Sequence, residues 1–467
     1  MKNVFFKFVK NNLPFLVIIG IAAAIRFYRL PEMASFDFDQ EYTANFAWSV
    51  IREYPIQLIG QGLSIPGMFM GPLYFYFLTP FYLIFGLHPV GGAVGSVVLG
   101  IIAVAVYYYA GNKLFGSPAG LILALFRAIL YRKIEDDWSV TPAFSSDVII
   151  IITWLLFYLY WKENNKVLPF IGFIFGLYTS FHPILFPFYL VFLFVLLVRK
   201  PWPKIKLVVF SGITFLIPVA PLIIFEFLHK FTEVNKLISL FQNSSTGTSI
   251  LISQKITDLL SIVMSGPNQL FSLNIPVFLI SSVSIIFVAF ITLNKMSFGR
   301  EKFHFAFLFL SIIIFIFYYL FFPANIIGYY LSAPIVLILF YFGGLLGLLA
   351  HKFLGKILVV ILISCIGLVN MELLNIRWSN TTITTLSHKD EIVKAIVIGQ
   401  LEGKDFFVSY INLPGWNFGF DYLFKLYGKV PKKDYVPMNS FTIVIPKSLS
   451  PDSINISSGN VGLILPK

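Results

Sequence analysis

The sequence predicts a polytopic α-helical membrane protein carrying a small extracytoplasmic α/β domain at its C-terminus. Three observations carry that prediction. Of the 467 residues, 58% are hydrophobic and the mean hydropathy is +0.84, more apolar surface than a water-soluble core of this size can hide. Apolar runs approaching the roughly 20 residues that a spanning helix needs recur from Leu13 to Leu373. From about Asn375 the apolar runs stop, and short alternating and helical patterns take over.

The spans fall near 13–30, 89–111, 118–134, 143–161, 167–181, 184–198, 206–226, 275–293, 303–322, 329–350 and 356–373, about eleven in all. The first is a permanent anchor: it lacks a small-residue cleavage site, and Arg-Phe-Tyr-Arg-Leu-Pro follows it directly. The segment 71–86, GPLYFYFLTPFYLIFG, is apolar but short, aromatic and interrupted by Pro80. Loop charge decides whether it crosses. If it does not, and the N-terminus is cytoplasmic, the later inner loops hold twelve Lys and Arg and the outer loops five. The segment is therefore read as an interfacial hairpin or helix in the outer leaflet.

This topology places FDFDQEYTAN (36–45), EDDWSVTP (135–142), His182, the 227–274 loop and PANIIGYY (323–330) on one external surface. Within 227–274, residues 250–264 read as an interfacial helix with Gln254, Lys255 and Asp258 towards one side. The C-terminal part, 375–467 against a membrane part of 1–374, reads as a helix through DEIVKAIVIGQLEG, a strand DFFVSYI, a helix NFGFDYLFKLYG, and strands SFTIVIP and VGLILP.

The net charge of +12 excludes little, because basic inner loops facing anionic lipid account for it, and no nucleic-acid partner is expected. The single cysteine, Cys365, lies in an apolar run, so neither a disulfide framework nor a Cys-based metal site is available.

Only 12% of residues are charged, yet Asp37, Asp39 and Glu41 gather within five positions beside the first span. A carboxylate at the outer mouth of a helix bundle can hold a metal, pair with a base, or take a proton from a reacting hydroxyl. The structural alternative is a loop capping the helix that starts near Tyr42, with Asp39 as N-cap.

Beyond the acids come YTANFAWSVIRE, GPLYFY, Lys113-Leu114-Phe115-Gly116 between spans, a span leading to Tyr131-Arg132, and a Trp-x-x-x-Pro turn. In this order the set resembles the GT-C superfamily of polyprenyl-phosphate-sugar glycosyltransferases. It is most similar to the branch holding protein O-mannosyltransferases and lipid A aminoarabinose transferases. The resemblance covers about residues 13–230 in motif order, and beyond that only hydropathy and the external C-terminal domain.

The resemblance implies an enzyme that moves a sugar, with inversion, from a lipid-linked donor to an acceptor hydroxyl. Its first-loop Asp maps onto Asp39 as general base. Gln40 replaces the Glu that usually follows, so Asp37 and Glu41 stand as alternates. Cations must stabilise the departing phosphate. Arg132 and Lys133 end a span on the right side, Arg matches phosphate geometry, and His182 resembles a His at the corresponding turn of related transferases. His229 and Lys230 are further phosphate candidates. Tyr74, Tyr76, Trp138, Tyr329 and Tyr330 suit sugar stacking. A divalent metal ion on Glu41, Asp136, Asp137 or His182 is a further possibility by analogy with the oligosaccharyltransferases, and no other cofactor is expected. The acceptor is a lipid, a polysaccharide or a protein, and membrane lipid is the other partner. The compact design points to a prokaryotic plasma membrane.

Two other functions are open to such a chain. A transporter of lipid-linked sugars would place ionisable groups within spans, where Arg127 and Asp147 are the candidates along with Glu226 and Glu372 near span ends. A membrane-anchored scaffold would leave the acidic loop unexplained.

Overall fold

Apolar helices build most of the molecule. The computed structural model describes residues 2–243, 253–259, 261, 300–322, 328–380, 382–399, 405–436 and 438–466. The expected span 275–293, residues 250–252, 260 and 262–264 of the 250–264 segment, and residues 323–327 of PANIIGYY lie outside the described residues. Among the described residues, six helical stretches are long and apolar enough to cross a membrane: Val90–Phe115, Phe144–Trp161, Ile205–Leu228, Phe303–Phe321, Tyr329–Leu349 and Phe353–Ser379. Asn12–Phe27, Ser117–Ile129 and Pro183–Val198 are shorter apolar helices. Helix Leu73–Ile84 has 12 residues. At about 1.5 Å per residue it is too short for a hydrocarbon core of roughly 30 Å, as the charge bias requires.

Close helix packing follows from small residues. Helix Ile205–Leu228 lies against Leu168–Phe181, where Gly172 and Gly176 leave room for the backbone at Ser211 and Phe215. Ser211 Oγ and Thr214 Oγ1 then donate to the carbonyls of Leu168 and Pro169 at 2.8 and 2.6 Å.

One span differs from its sequence reading. The run expected to cross over 118–134 stops being helical at Ile129; Leu130 is extended, and a separate helix runs Tyr131–Trp138. The expected 135–142 loop is thus helical through its first half. The cause is a long-range capture. Arg26, fully buried near the end of helix Lys2–Phe27, donates to the carbonyls of Arg127 and Ala128 at 2.9 and 2.8 Å, satisfying acceptors that a helix end leaves open. Asn370 Oδ1, on helix Phe353–Ser379, accepts the N–H of Tyr131 at 2.7 Å and starts the next helix.

The C-terminal part holds helices Leu386–Gly399 and Phe420–Leu426 and a four-stranded sheet. Its strands are β1 (Phe407–Asn412), β2 (Ser440–Ile445), β3 (Ile456–Ser458) and β4 (Val461–Ile464), in the order β1-β2-β4-β3. β1 pairs parallel to β2, Val408 opposite Phe441, while β4 is antiparallel to both β2 and β3. Phe441, Ile443 and Ile445 alternate into the buried face. The preceding helix runs to Ser379, past the boundary at 374 that composition indicates.

This domain sits on the acidic loop. Lys389 donates to the carbonyls of Phe36 and Phe418 at 2.7 and 2.8 Å and to Asp37 Oδ1 at 2.7 Å, using all three ammonium protons. Leu386 N–H reaches Ala34 O at 2.9 Å, and Tyr422 Oη donates to Leu87 O at 2.6 Å.

Candidate active site

The three acids of FDFDQEYTAN have three different surroundings. Helix Phe38–Arg52 begins one residue after Asp37, which is its N-cap, in a capping box with Gln40. The cap is therefore Asp37 and not Asp39. With Lys389 on its carboxylate as well, Asp37 joins the helix to the C-terminal domain. Glu41 points the same way. Its two oxygens accept the N–H groups of Gly419 and Tyr422 at 2.8 and 3.0 Å, at the start of helix Phe420–Leu426. Burial nevertheless pushes its carboxyl above the usual range, against the pull of those two N–H donors.

Asp39 lies on another face, since residues two apart on a helix diverge by about 200°. It lines a cavity of ≈ 510 Å³ together with Phe38, Tyr42, Gln61, Ser64, Thr141, Phe144, His182 and Tyr329. Gln61 Nε2 donates to Asp39 Oδ1 at 2.6 Å. Gln61 sits in a folded-back loop where Gly60 N–H meets Met70 O at 2.6 Å and Met70 N–H meets Gln61 O at 2.8 Å. Gly71 N–H, bonded to Thr179 O at 2.9 Å, fixes that loop to the helix leading into His182.

His182 follows helix Leu168–Phe181 and accepts the Ile184 N–H on Nδ1 at 3.2 Å, which leaves the ring proton on Nε2. Burial lowers its pKa to about 4, so at neutral pH it is an uncharged N–H donor. Tyr329 stands edge-on to it, centroids 5.5 Å apart. His182 also lines a smaller recess of ≈ 50 Å³ with Tyr318, Tyr319, Phe322 and Tyr330. Tyr318 and Phe322 in turn line an apolar groove of ≈ 500 Å³ with Leu190, Ile314, Phe317 and Phe321. Shared residues thus join three spaces in a row: a polar cavity at Asp39, a recess at His182, and an apolar groove between helices Pro187–Val198 and Arg300–Phe321.

One wall of the polar cavity, Thr141–Phe144, hangs from a buried charge cluster. Arg127 holds Asp137 through two bonds at 2.8 and 2.7 Å, Arg26 adds a third at 2.7 Å, and Arg127 Nε pairs with Asp147 at 2.7 Å. Burial works to raise the Asp137 pKa, but the two guanidinium groups outweigh it and hold the carboxyl below its usual range. Gly100 makes room for that carboxylate; a methyl group there would overlap it. Val140, between cluster and wall, adopts φ 48°, a strained conformation for a β-branched residue.

The remaining sequence candidates divide. Tyr329 reaches the polar cavity and Tyr330 the recess. Arg132 stands at the margin, 5.7 Å over the Phe144 ring, but pairs with Glu135 and Asp136 at 2.8 and 3.4 Å. Lys133 is buried on Asp136 at 2.8 Å. Trp138 is enclosed, its indole N–H on Arg26 O at 3.0 Å, and Tyr74 is enclosed beside Ser145, so neither offers a ring face to a sugar. Tyr76 Oη is bonded to the Gln57 backbone. His229 stacks on Phe225, and neither it nor Lys230 lines these cavities. Glu41, Asp136, Asp137 and His182 do not converge, and among the described residues no three His, Cys, Asp or Glu side chains are placed to hold a metal. Sequence reasoning passed over Gln61, Tyr42 and Phe144. A glutamine between two glycines in an apolar stretch was the available signal for Gln61.

Comparisons with known proteins follow this architecture. Residues 70–225 match the family model for dolichyl-phosphate-mannose-protein mannosyltransferase. No curated protein matches the chain in sequence. Among solved structures, ArnT from Cupriavidus metallidurans bound to undecaprenyl phosphate superposes with TM-score 0.57 at 11% identity, covering 97% of this chain and 98% of that one. The archaeal oligosaccharyltransferase AglB from Archaeoglobus fulgidus, in complex with an inhibitory peptide and a dolichol-phosphate, gives TM-score 0.51 at 12% identity, covering 94% and 70%. The chain shares the fold of these two proteins. With its apolar helices, it is an integral membrane protein.

Proposed function

We propose that this chain is an inverting glycosyltransferase of the GT-C type that moves a sugar from a polyprenyl-phosphate donor to an acceptor hydroxyl. The observation that carries the reading is the continuity from the Asp39 cavity, past His182, into an apolar groove open between two helices. A lipid-linked sugar has the same layout: glycosyl group, phosphate, isoprenoid chain. ArnT with its undecaprenyl phosphate and AglB with its dolichol-phosphate are GT-C proteins whose ligands have that chemistry.

In this account Asp39, oriented by Gln61, takes the proton of the acceptor hydroxyl. The freed oxygen attacks the anomeric carbon as the bond to the phosphate oxygen breaks. Attack and departure on opposite faces invert the centre. The leaving phosphate carries its charge away, and the neutral His182 Nε2–H is placed to donate to it. Tyr329 beside His182 supplies a ring edge and hydroxyl towards the sugar. Asp37 and Glu41 hold the C-terminal domain on the loop that carries Asp39. The acceptor is a lipid, a polysaccharide or a protein.

The asymmetry of twelve inner against five outer basic residues supports an active site on the external side of the membrane, and the compact design supports a prokaryotic plasma membrane. A transport reading finds less support, because the mid-span candidates Arg127 and Asp147 are locked to each other at 2.7 Å. The test is incubation of purified protein with a panel of polyprenyl-phosphate sugars while released polyprenyl phosphate is measured. Release with none of them would refute the reading.

A further inference from the structure

Another cavity, of ≈ 610 Å³, lies at the seam between the acidic loop and the C-terminal domain. Asp37, Thr382, Thr384, Trp416, Ile445 and Asn460 are among the residues that line it, and it shares none with the three spaces described above. Its place follows from the sheet. β1 and β2 run parallel, Trp416 lies in the turn just past β1, and Ile445 ends β2. The crevice beyond the carboxyl ends of parallel strands is where open α/β sheets take their ligands. Trp416 N–H is bonded to Leu413 O at 3.1 Å, after Gly415 at φ 83°. Gly459, at φ 54°, packs against the His388 ring, where a methyl group would overlap, and this sets the next residue, Asn460, on the cavity wall.

The Trp416 indole, 38% exposed, and the Asn460 amide make no side-chain hydrogen bond with the described residues. Asp37, although bonded to Lys389, keeps 54% of its side chain exposed. An aromatic face beside a carboxylate, an amide and a threonine hydroxyl matches a sugar ring, with its apolar face and hydroxyl edge. Among the described residues no cation lines the cavity, and Asp37 is an acid, so an uncharged ligand suits it better than a phosphate. A peptide adding as a strand needs an open sheet edge, and this cavity lies at strand ends instead. We propose that it binds the distal units of an uncharged saccharide acceptor whose terminal hydroxyl reaches Asp39. This rests on the transferase reading above and names its acceptor class. Asp37 and Asp39, one in each cavity, are about 5–7 Å apart along the start of one helix. Phe38 between them is half exposed, lines the Asp39 cavity and stands edge-on to Phe418 at 5.0 Å, two residues from Trp416.

The test titrates the full-length protein in detergent with mannotriose, maltotriose and cellotriose, with mannose and glucose, and with a Ser/Thr-rich decapeptide. At least one trisaccharide should bind more tightly than its monosaccharide and than the peptide. Trp416→Ala should weaken that binding by about tenfold or more and Asn460→Ala by about fivefold, while Trp416→Phe, which keeps an aromatic face, should stay within a few fold. Melting temperatures should match wild type, because neither side chain is buried. If no trisaccharide binds, or Trp416→Ala binds it as wild type does, the proposal fails and the transferase reading stands. Peptide binding tighter than that of every trisaccharide, and lost in Trp416→Ala, would overturn the saccharide assignment. A trisaccharide that binds at Trp416 yet receives no sugar from any polyprenyl-phosphate donor would refute the transferase reading and the acceptor role with it.

Discussion

Gln61 Nε2 donates to Asp39 Oδ1 across 2.6 Å, so a loop residue 22 positions downstream sets the direction of the carboxylate in the cavity. Both side chains line that cavity, and Oδ2 takes no hydrogen bond from the described residues. One oxygen is thereby fixed and the other is open to an acceptor. Gln61→Ala should lower kcat by about ten- to a hundredfold, the scale of loss from a misaligned catalytic group, with donor affinity little changed. Steady-state kinetics with separate donor-binding measurements checks this.

His182 gives a pH prediction. Its folded pKa of about 4 lies below the ordinary 6.5, so it takes up a proton only when pH falls towards 4. Its donor role should be constant from pH 5 to 8. The pH profile of kcat/KM should show no inflection near 6.5 that disappears in His182→Gln, and His182→Ala should lose more activity than His182→Gln, which keeps an N–H donor.

The buried cluster should be fragile to single changes. Asp137→Asn removes the charge that balances Arg26 and Arg127, and breaking a buried pair costs about 3–5 kcal/mol. Gly100→Ala should destabilise by about 1–3 kcal/mol through overlap with the same carboxylate. Thermal unfolding in detergent measures both. A melting temperature unchanged in either would mean that Ser139–Phe144 is held by something else.

Docking of the C-terminal domain should weaken in acid. Asp390 is held at about 2: burial would raise it, but hydrogen bonds with His88, Lys394 and Tyr427 outweigh that. Its ordinary value is 3.8, so its contribution is complete above about pH 4 and is lost as pH falls through 2. Hydrogen exchange in helix Leu386–Gly399 should accelerate over that window. Glu41→Ala, which strands two helix-terminal N–H groups, should weaken the same docking by about 1–3 kcal/mol at neutral pH, read as faster proteolysis between residues 380 and 420.

Much of this was legible in the chain. Length and hydropathy mark the helices, because a lipid-facing helix must be apolar along its whole length. The Asp39 and His182 positions, far apart in sequence, came together through the resemblance and not through any local pattern. What the sequence hid is what depends on distant partners. The break at Leu130 lies inside a stretch, Leu121–Ile134, with no Pro or Gly, and the side chains of Arg26 and Asn370, a hundred or more residues away, explain it. Asp37 and Glu41 look like catalytic acids until Lys389, Gly419 and Tyr422 are seen beside them. Trp138 looks like a sugar platform until its burial is known. Strand β3 has only three residues, Ile-Ser-Ser, too few for alternation to show.

Asp39→Asn tests the account most directly, because it removes the basic oxygen with little change in shape. The measurement is release of polyprenyl phosphate from a polyprenyl-phosphate sugar by purified wild-type and variant protein, with decaprenyl phosphate binding as the control. We predict that binding persists and turnover falls by about 10²–10⁴-fold, the contribution of a general base. Turnover within a few fold of wild type, with binding intact, would contradict the assignment of Asp39 as the base.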